Sequence, residues 1–133
     1  MEFVEWSDSY SVGNALMDAH HQVFFRMIRE FSEPIDEDDP DGMMKRVAFL
    51  AEYTMMHLDA EEDLMEQAGY PALERHAAVH AAFRQQVESV KDAFFRDQAS
   101  VAPEHILNMM QGWFVDHILN EDKHYAPHLP RRT

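Results

Sequence analysis

The chain has 133 residues, 46% of them hydrophobic, and its 25 acidic against 11 basic side chains give a formal net charge of −14. That length holds one domain with a core that needs no staples, and the absence of cysteine removes disulfides, thiolate zinc sites, cysteine-ligated iron–sulfur clusters, c-type haem attachment and a cysteine nucleophile. The acidic excess argues against nucleic acid, whose phosphates demand Lys and Arg, and no stretch approaches the roughly 18 apolar residues of a membrane span.

The N-terminus, Met1-Glu2-Phe3-Val4-Glu5, is acidic with no apolar run behind it, so no secretory signal is visible and a cytoplasmic location is expected. An arm over residues 1 to about 17 carries Trp6, Tyr10 and Gly13 without a sustained helical period. A first helix is predicted from Asp18, its N-cap, with Phe24, Phe25, Ile28 and Phe31 buried. It ends before Asp36-Glu37-Asp38-Asp39-Pro40-Asp41-Gly42, an acidic turn-rich loop. The second helix is predicted from Met43 to Glu66, with Val47, Leu50, His57, Glu61 and Leu64 near one stripe, and Gly69-Tyr70-Pro71 breaks it with Gly69 at C′. The third covers Ala72 to Phe95. A loop from Asp97 to Ala102 then leads into the fourth at Pro103, a favoured first-turn residue. That helix runs to Asn120 or Lys123, and Pro127 and Pro130 end regular structure. Strand signals are absent. Four helices with short connections predict an all-α, antiparallel up-down-up-down bundle, one domain over 1–133 with an arm at 1–17 and a tail at 124–133. The ten methionines, among them Met27, Met55, Met109 and Met110, read as adaptable packing.

The chemistry sits among nine histidines. His57 with Glu61, and His76 with His80, stand four apart, about one helical turn, and so share a face. One such pair is expected about once by accident in a chain this rich in histidine, so neither pair alone is specific. The joint order says more: a single His21, then His57 with Glu61, then His76 with His80, then His117 with a downstream carboxylate, one set per predicted helix. That carboxylate is Glu121 or Asp122. On a straight helix at about 100° per residue, 121 lies about 40° round from His117 and 122 about 140°, which favours Glu121. His124 and His128 are also four apart, but Pro127 and Pro130 deny them a shared helical face. His20 and His105 have no such partner and read as surface or capping residues. Five imidazoles and two carboxylates exceed one tetrahedral zinc, and no His-Glu-x-x-His is present. Imidazole suits iron, and carboxylates can span two metals.

These segments resemble the hemerythrin family, in its single-domain bacterial form, over nearly the whole chain. Val4-Glu5-Trp6 and Val12-Gly13-Asn14 are similar to the family's arm, and Asp18-Ala19-His20-His21-Gln22 to its Asp-x-x-His segment. His57-Leu58-Asp59-Ala60-Glu61-Glu62, Gly69-Tyr70-Pro71, His76-Ala77-Ala78-Val79-His80 and Trp113-Phe114-Val115-Asp116-His117-Ile118 continue the likeness. The resemblance makes His21 the ligand rather than His20, and Asp122 the carboxylate rather than Glu121, which requires the helix to distort or finish near residue 120. It implies that His76, His80 and His117 hold one iron and His21 and His57 the other. Glu61 and Asp122 would bridge the pair with an oxo or hydroxo group, and dioxygen would bind the two-histidine iron. His20 stands where many relatives carry Gln, a difference expected to bear on the surroundings of His21.

The function implied is reversible dioxygen binding, as carrier, store or delivery protein to an oxygen-consuming enzyme, rather than catalysis. Two carboxylates and a hydroxide leave a diferrous site at about +1 by formal count, and so few anions disfavour high-valent iron, the charge logic that tunes iron–sulfur centres. The alternatives are a diiron peroxidase, oxidase or nitric oxide scavenger, and an oxygen sensor acting through a separate partner. Trp113, four residues before His117, is expected to wall the oxygen pocket or simply fill the bundle.

Overall fold

The computed structural model describes residues 5–31, 33–34, 38, 41–97 and 101–129. Among them, α1 (Ala15–Phe31), α2 (Gly42–Gln67), α3 (Leu73–Arg96) and α4 (Pro103–His117) form an antiparallel four-helix bundle without strands. Helix α2 packs on α3, and α1 on both α2 and α4. None of the helices is long and apolar enough to cross a membrane. Val4, most of the acidic loop before Asp41, and Pro130 with the two arginines behind it lie outside the described residues.

Helix α1 begins at Ala15, not at Asp18. Asn14 is the cap, its Oδ1 accepting from the Met17 N–H at 3.1 Å. Asp18 instead ties down the arm, accepting from the Val12 N–H at 2.8 Å and the Ser11 hydroxyl at 2.5 Å. At the other end of the chain, Lys123 Nζ donates to the Ser11 carbonyl at 2.8 Å, so the arm is clamped from two sides. Trp6 and Tyr10 pack on Phe25 at ring separations of 6.0 and 5.0 Å. As expected, Phe24, Phe25, Ile28 and Phe31 are buried.

The C-terminus of α2 matches the glycine expectation in detail. Gly69 has φ +67°, its N–H donates to Glu66 O, and the Tyr70 N–H donates to Met65 O. This is the paired 5→2 and 6→1 closure that a left-handed C′ residue permits. Of the predicted α2 stripe, Leu64 is only half-buried, and Met65 takes the core position beside it.

The largest departure is at the end of α4. The α-helical course stops at His117 and is followed by a five-residue π turn, Ile118–Asp122, then a short α5 (Lys123–Tyr125) and a 3-10 turn, Ala126–His128. The Lys123 N–H reaches back to Ile118 O, five residues earlier. Helical structure therefore runs past the expected end and through Pro127, which the 3-10 turn accommodates in its first residues. His124 and His128 are both exposed, and the His128 ring lies 5.0 Å from Tyr70.

Two apolar clusters fill the bundle. The larger contains Phe24, Leu58, Phe83, Phe94, Phe114 and Ile118, and the smaller Val12, Met17, Met65, Tyr125 and Leu129. Along each helix the polar residues of interest fall between members of the two: His21 between Met17 and Phe24, Glu61 between Leu58 and Met65, Asp122 between Ile118 and Tyr125. The result is a single polar layer sealed by apolar side chains above and below.

Candidate metal centre

All seven residues singled out in the sequence are buried in that layer: His21, His57, Glu61, His76, His80, His117 and Asp122. Their donor atoms form two groups. One is Glu61, His76, His80, His117 and Asp122, the other His21, His57 and Glu61, with the donors in each group within 4.8 Å of one another.

The carboxylates are shared by oxygen. Glu61 Oε1 faces His76 Nε2 at 3.1 Å and His80 Nε2 at 3.0 Å, whereas its Oε2 faces His57 Nε2 at 3.3 Å and His21 Nε2 at 3.5 Å. Asp122 divides in the same way: Oδ1 lies 2.9 Å from His117 Nε2 and 3.2 Å from His76 Nε2, and Oδ2 lies 3.3 Å from His21 Nε2. Three imidazoles gather on one side and two on the other, and each carboxylate offers one oxygen to each side.

The π turn makes this possible. With α-helical spacing Asp122 would point about 140° away from His117. Widening the turn to an i→i+5 closure returns residue 122 to the face of 117. Glu121, the choice favoured by a straight helix, is turned outward to pair with Arg75 at 3.0 and 3.3 Å.

These atoms crowd without satisfying one another. Among the described residues, neither Asp122 oxygen nor His21 Nε2 has a hydrogen-bond partner despite the short approaches, and nor do the second ring nitrogens of His21 and His117. His80 Nε2 and His117 Nε2 stand 2.9 Å apart. Each unsatisfied buried polar atom costs roughly 1–3 kcal/mol. A cation placed among lone pairs that converge in this way would relieve that cost, so the donor set fits a non-haem diiron site.

The electrostatics agree. Burial works against ionising Glu61, but the imidazoles of His117, His21, His57 and His76 that face it outweigh burial and hold its carboxyl well below the usual range. Burial and the charge of Glu61 oppose ionisation of Asp122, and the imidazoles of His117 and His21 overcome both. Burial opposes a charge on His21, His76 and His117 as well, yet the two carboxylates raise them to about 9, about 9 and about 10. Without a metal, protons on these rings compensate the buried carboxylates. His57 departs from the pattern: burial dominates and lowers its pKa, leaving a neutral ring.

Tyr125, Glu62 and Arg84, to which the sequence assigns no role, surround these groups together with His20. The Tyr125 hydroxyl donates to Glu61 Oε2 at 2.9 Å, and burial, then the charges of Glu61 and Asp122, push its pKa far up, so it stays a donor. His80 Nδ1 faces Glu62 Oε2 at 3.0 Å, and Arg84 bonds that same oxygen and Asp59. His20 is half-buried rather than on the surface, and it meets His57, not His21, with the two Nδ1 atoms 2.9 Å apart. For Glu62 and Tyr125 the sequence signals were ones of proximity: Glu62 follows Glu61, and Tyr125 lies three residues past Asp122, about one turn.

Aromatic rings cover both sides of the layer. Trp113 stacks on His117 at 4.2 Å and on Phe83 at 3.6 Å, covering the three-histidine side. On the two-histidine side it is Phe114 that packs against His21 and His57, at 5.5 and 6.0 Å, with Phe24 stacked on it at 3.9 Å and lying 5.6 Å from His57.

Comparison with known proteins returns one consistent answer. Residues 12–129 match the family model described as the hemerythrin HHE cation binding domain. The chain is 28% identical over 127 residues to bacteriohemerythrin of Stenotrophomonas maltophilia, covering 95% of this chain and 81% of the relative. It is 24% identical over 128 residues to bacteriohemerythrin of Methylococcus capsulatus, with 96% and 97% covered. Against myohemerythrin of Riftia pachyptila the identity is 27% over 124 residues, with 93% and 92% covered. A crystal structure of wild-type hemerythrin superposes with a TM-score of 0.86 at 23% identity, covering 96% of this chain and 98% of the other.

Proposed function

The chain belongs to the hemerythrin family, and from that premise we propose that it binds dioxygen reversibly at a buried diiron centre. His76, His80 and His117 would hold one iron, His21 and His57 the other, with Glu61 and Asp122 bridging. The observation that carries this reading is the division of each carboxylate, one oxygen to the three-histidine group and one to the two-histidine group. A pair of ferrous ions would supply the electrons that reversible dioxygen binding requires.

The remaining work falls to the protein. Tyr125 holds Glu61 Oε2 through its hydroxyl, and Glu62, braced by Arg84, orients His80. Phe114 and Phe24 pack over the two-histidine side and exclude water from it, the side on which a metal would have fewer histidine ligands. Keeping water and protons out favours release of oxygen intact over its reduction.

The test is an optical spectrum of anaerobically reduced, iron-loaded protein before and after air. A visible band that appears with oxygen and disappears on its removal supports the reading. Haem bands, or no response to oxygen, would refute it. Turnover of hydrogen peroxide or nitric oxide faster than oxygen release would move the assignment to a redox enzyme on the same scaffold.

A further inference from the structure

A ligating imidazole uses its two nitrogens differently: one gives its lone pair to the metal, the other carries the proton and needs an acceptor. That acceptor fixes the tautomer and raises the basicity of the ligand. On the three-histidine side, His80 has Glu62 in this role at 3.0 Å. On the two-histidine side no carboxylate among the described residues is placed to do the same, and His21 Nδ1 has no hydrogen-bond partner among them. His57 is the exception. Its Nε2 faces Glu61 Oε2 at 3.3 Å, and its Nδ1 lies 2.9 Å from Nδ1 of His20.

Resting on the diiron reading above, we propose that His20 is a positioning residue that accepts the Nδ1 proton of His57 and so locks His57 in the tautomer that offers Nε2 to the metal. With His57 Nδ1–H as donor, His20 Nδ1 must be the acceptor, and the proton of neutral His20 sits on its Nε2. His20 is itself held in place. The Tyr53 hydroxyl donates to the His20 carbonyl at 3.1 Å, and the Tyr53 and His57 rings meet the His20 ring edge-on at 6.1 and 5.1 Å. An imidazole nitrogen is a more basic acceptor than the amide oxygen of a glutamine. His57 therefore becomes a stronger donor to the iron than the same ring backed by an amide. The effect is confined to the side where dioxygen is proposed to bind.

The experiment compares wild type with His20→Gln, which keeps an acceptor, and with His20→Leu and His20→Ala, which do not. Nitrogen-15 NMR of the histidine side chains in folded, metal-free protein reads the tautomer. Iron release to an excess of chelator reads the consequence. Wild type and His20→Gln should show His57 protonated at Nδ1, whereas the acceptor-free variants should show that population fall. One of the two irons should then leave roughly 10- to 100-fold faster in those variants, with the second unaffected. Two acceptor-free variants keep the test decisive if one fails to fold by circular dichroism. Unchanged tautomer and release in the folded variant would overturn the proposal, as would a His20→Gln protein as impaired as His20→Leu. Wild-type protein that takes up no iron would refute the diiron reading instead, while its metal-free NMR spectrum would still decide whether His20 accepts from His57.

Discussion

Exchanging Asp122 for Asn, beside Glu121→Gln as its control, separates two adjacent acids that the chain treats very differently. Asp122 is fully buried and faces three imidazoles, His117 at 2.9 Å, His76 at 3.2 Å and His21 at 3.3 Å. Asparagine keeps the volume and removes the charge, so any loss is electrostatic. Removing one partner from a buried ion network costs about 3–5 kcal/mol, because the groups left behind remain desolvated. At about 4 °C per kcal/mol for a domain of this size, metal-free Asp122→Asn should melt roughly 10–20 °C lower than wild type. Glu121 pairs with an Arg75 that is 65% exposed, a class of bridge worth about 0.2–1 kcal/mol, so its control should shift by no more than a few degrees. Scanning calorimetry reads the stability, and a metal assay after reconstitution reads the iron: Asp122→Asn should lose bound iron and Glu121→Gln keep it. Iron retained in the first and lost in the second would refute the role given to the π turn.

Three further outcomes are expected. In metal-free protein His21, His76 and His117 have pKa values of about 9, 9 and 10 against an ordinary 6.5. Groups raised in this way stabilise fully below pH 6.5 and lose that contribution as pH climbs through 9 to 10, whereas the depressed Glu61 and Asp122 lose theirs as pH falls below about 4. Melting temperature of the metal-free form should thus decline from pH 7 to 10, and a flat profile would contradict the assignment. Tyr125→Phe deletes an O–H donor to a buried carboxylate, so urea unfolding should show a loss of about 1.5–3 kcal/mol; an unchanged midpoint would mean that Glu61 does not need it. Trp113→Ala should cost about 3–5 kcal/mol as a cavity, yet leave decay of the oxygenated protein at the wild-type rate. Phe114→Ala should speed that decay, and the opposite ranking would return the pocket wall to Trp113.

Legibility in the sequence followed the physics of each feature. Helix faces were readable because burial repeats every three to four residues, so Phe24, Ile28 and Phe31, or His57 and Glu61, announce themselves. Gly69 was readable because few other residues enter a left-handed turn cheaply. Asp18 misled because an acid near a helix start suits either a cap or a first-turn position, and the clamp it makes on Ser11 and Val12 is invisible locally. Choosing between Glu121 and Asp122 was beyond helical periodicity, since the inserted π residue breaks the α-helical period. Tyr125 and Glu62 were missed, and His20 was expected to act on His21 rather than His57, for a common reason. Each acts on a donor supplied by another helix, or another turn, and pairwise spacing along one helix carries no trace of such contacts.

In the proposed centre Glu61 and Asp122 would each lend one oxygen to either of two metals. This arrangement is tested most directly by a crystal structure of the iron-loaded protein with anomalous scattering measured at the iron edge. Two iron peaks are expected between these carboxylates, one ringed by the Nε2 atoms of His76, His80 and His117 and the other by those of His21 and His57. A single peak, a peak at the zinc edge in place of iron, or a Glu121 oxygen on the metal would contradict it.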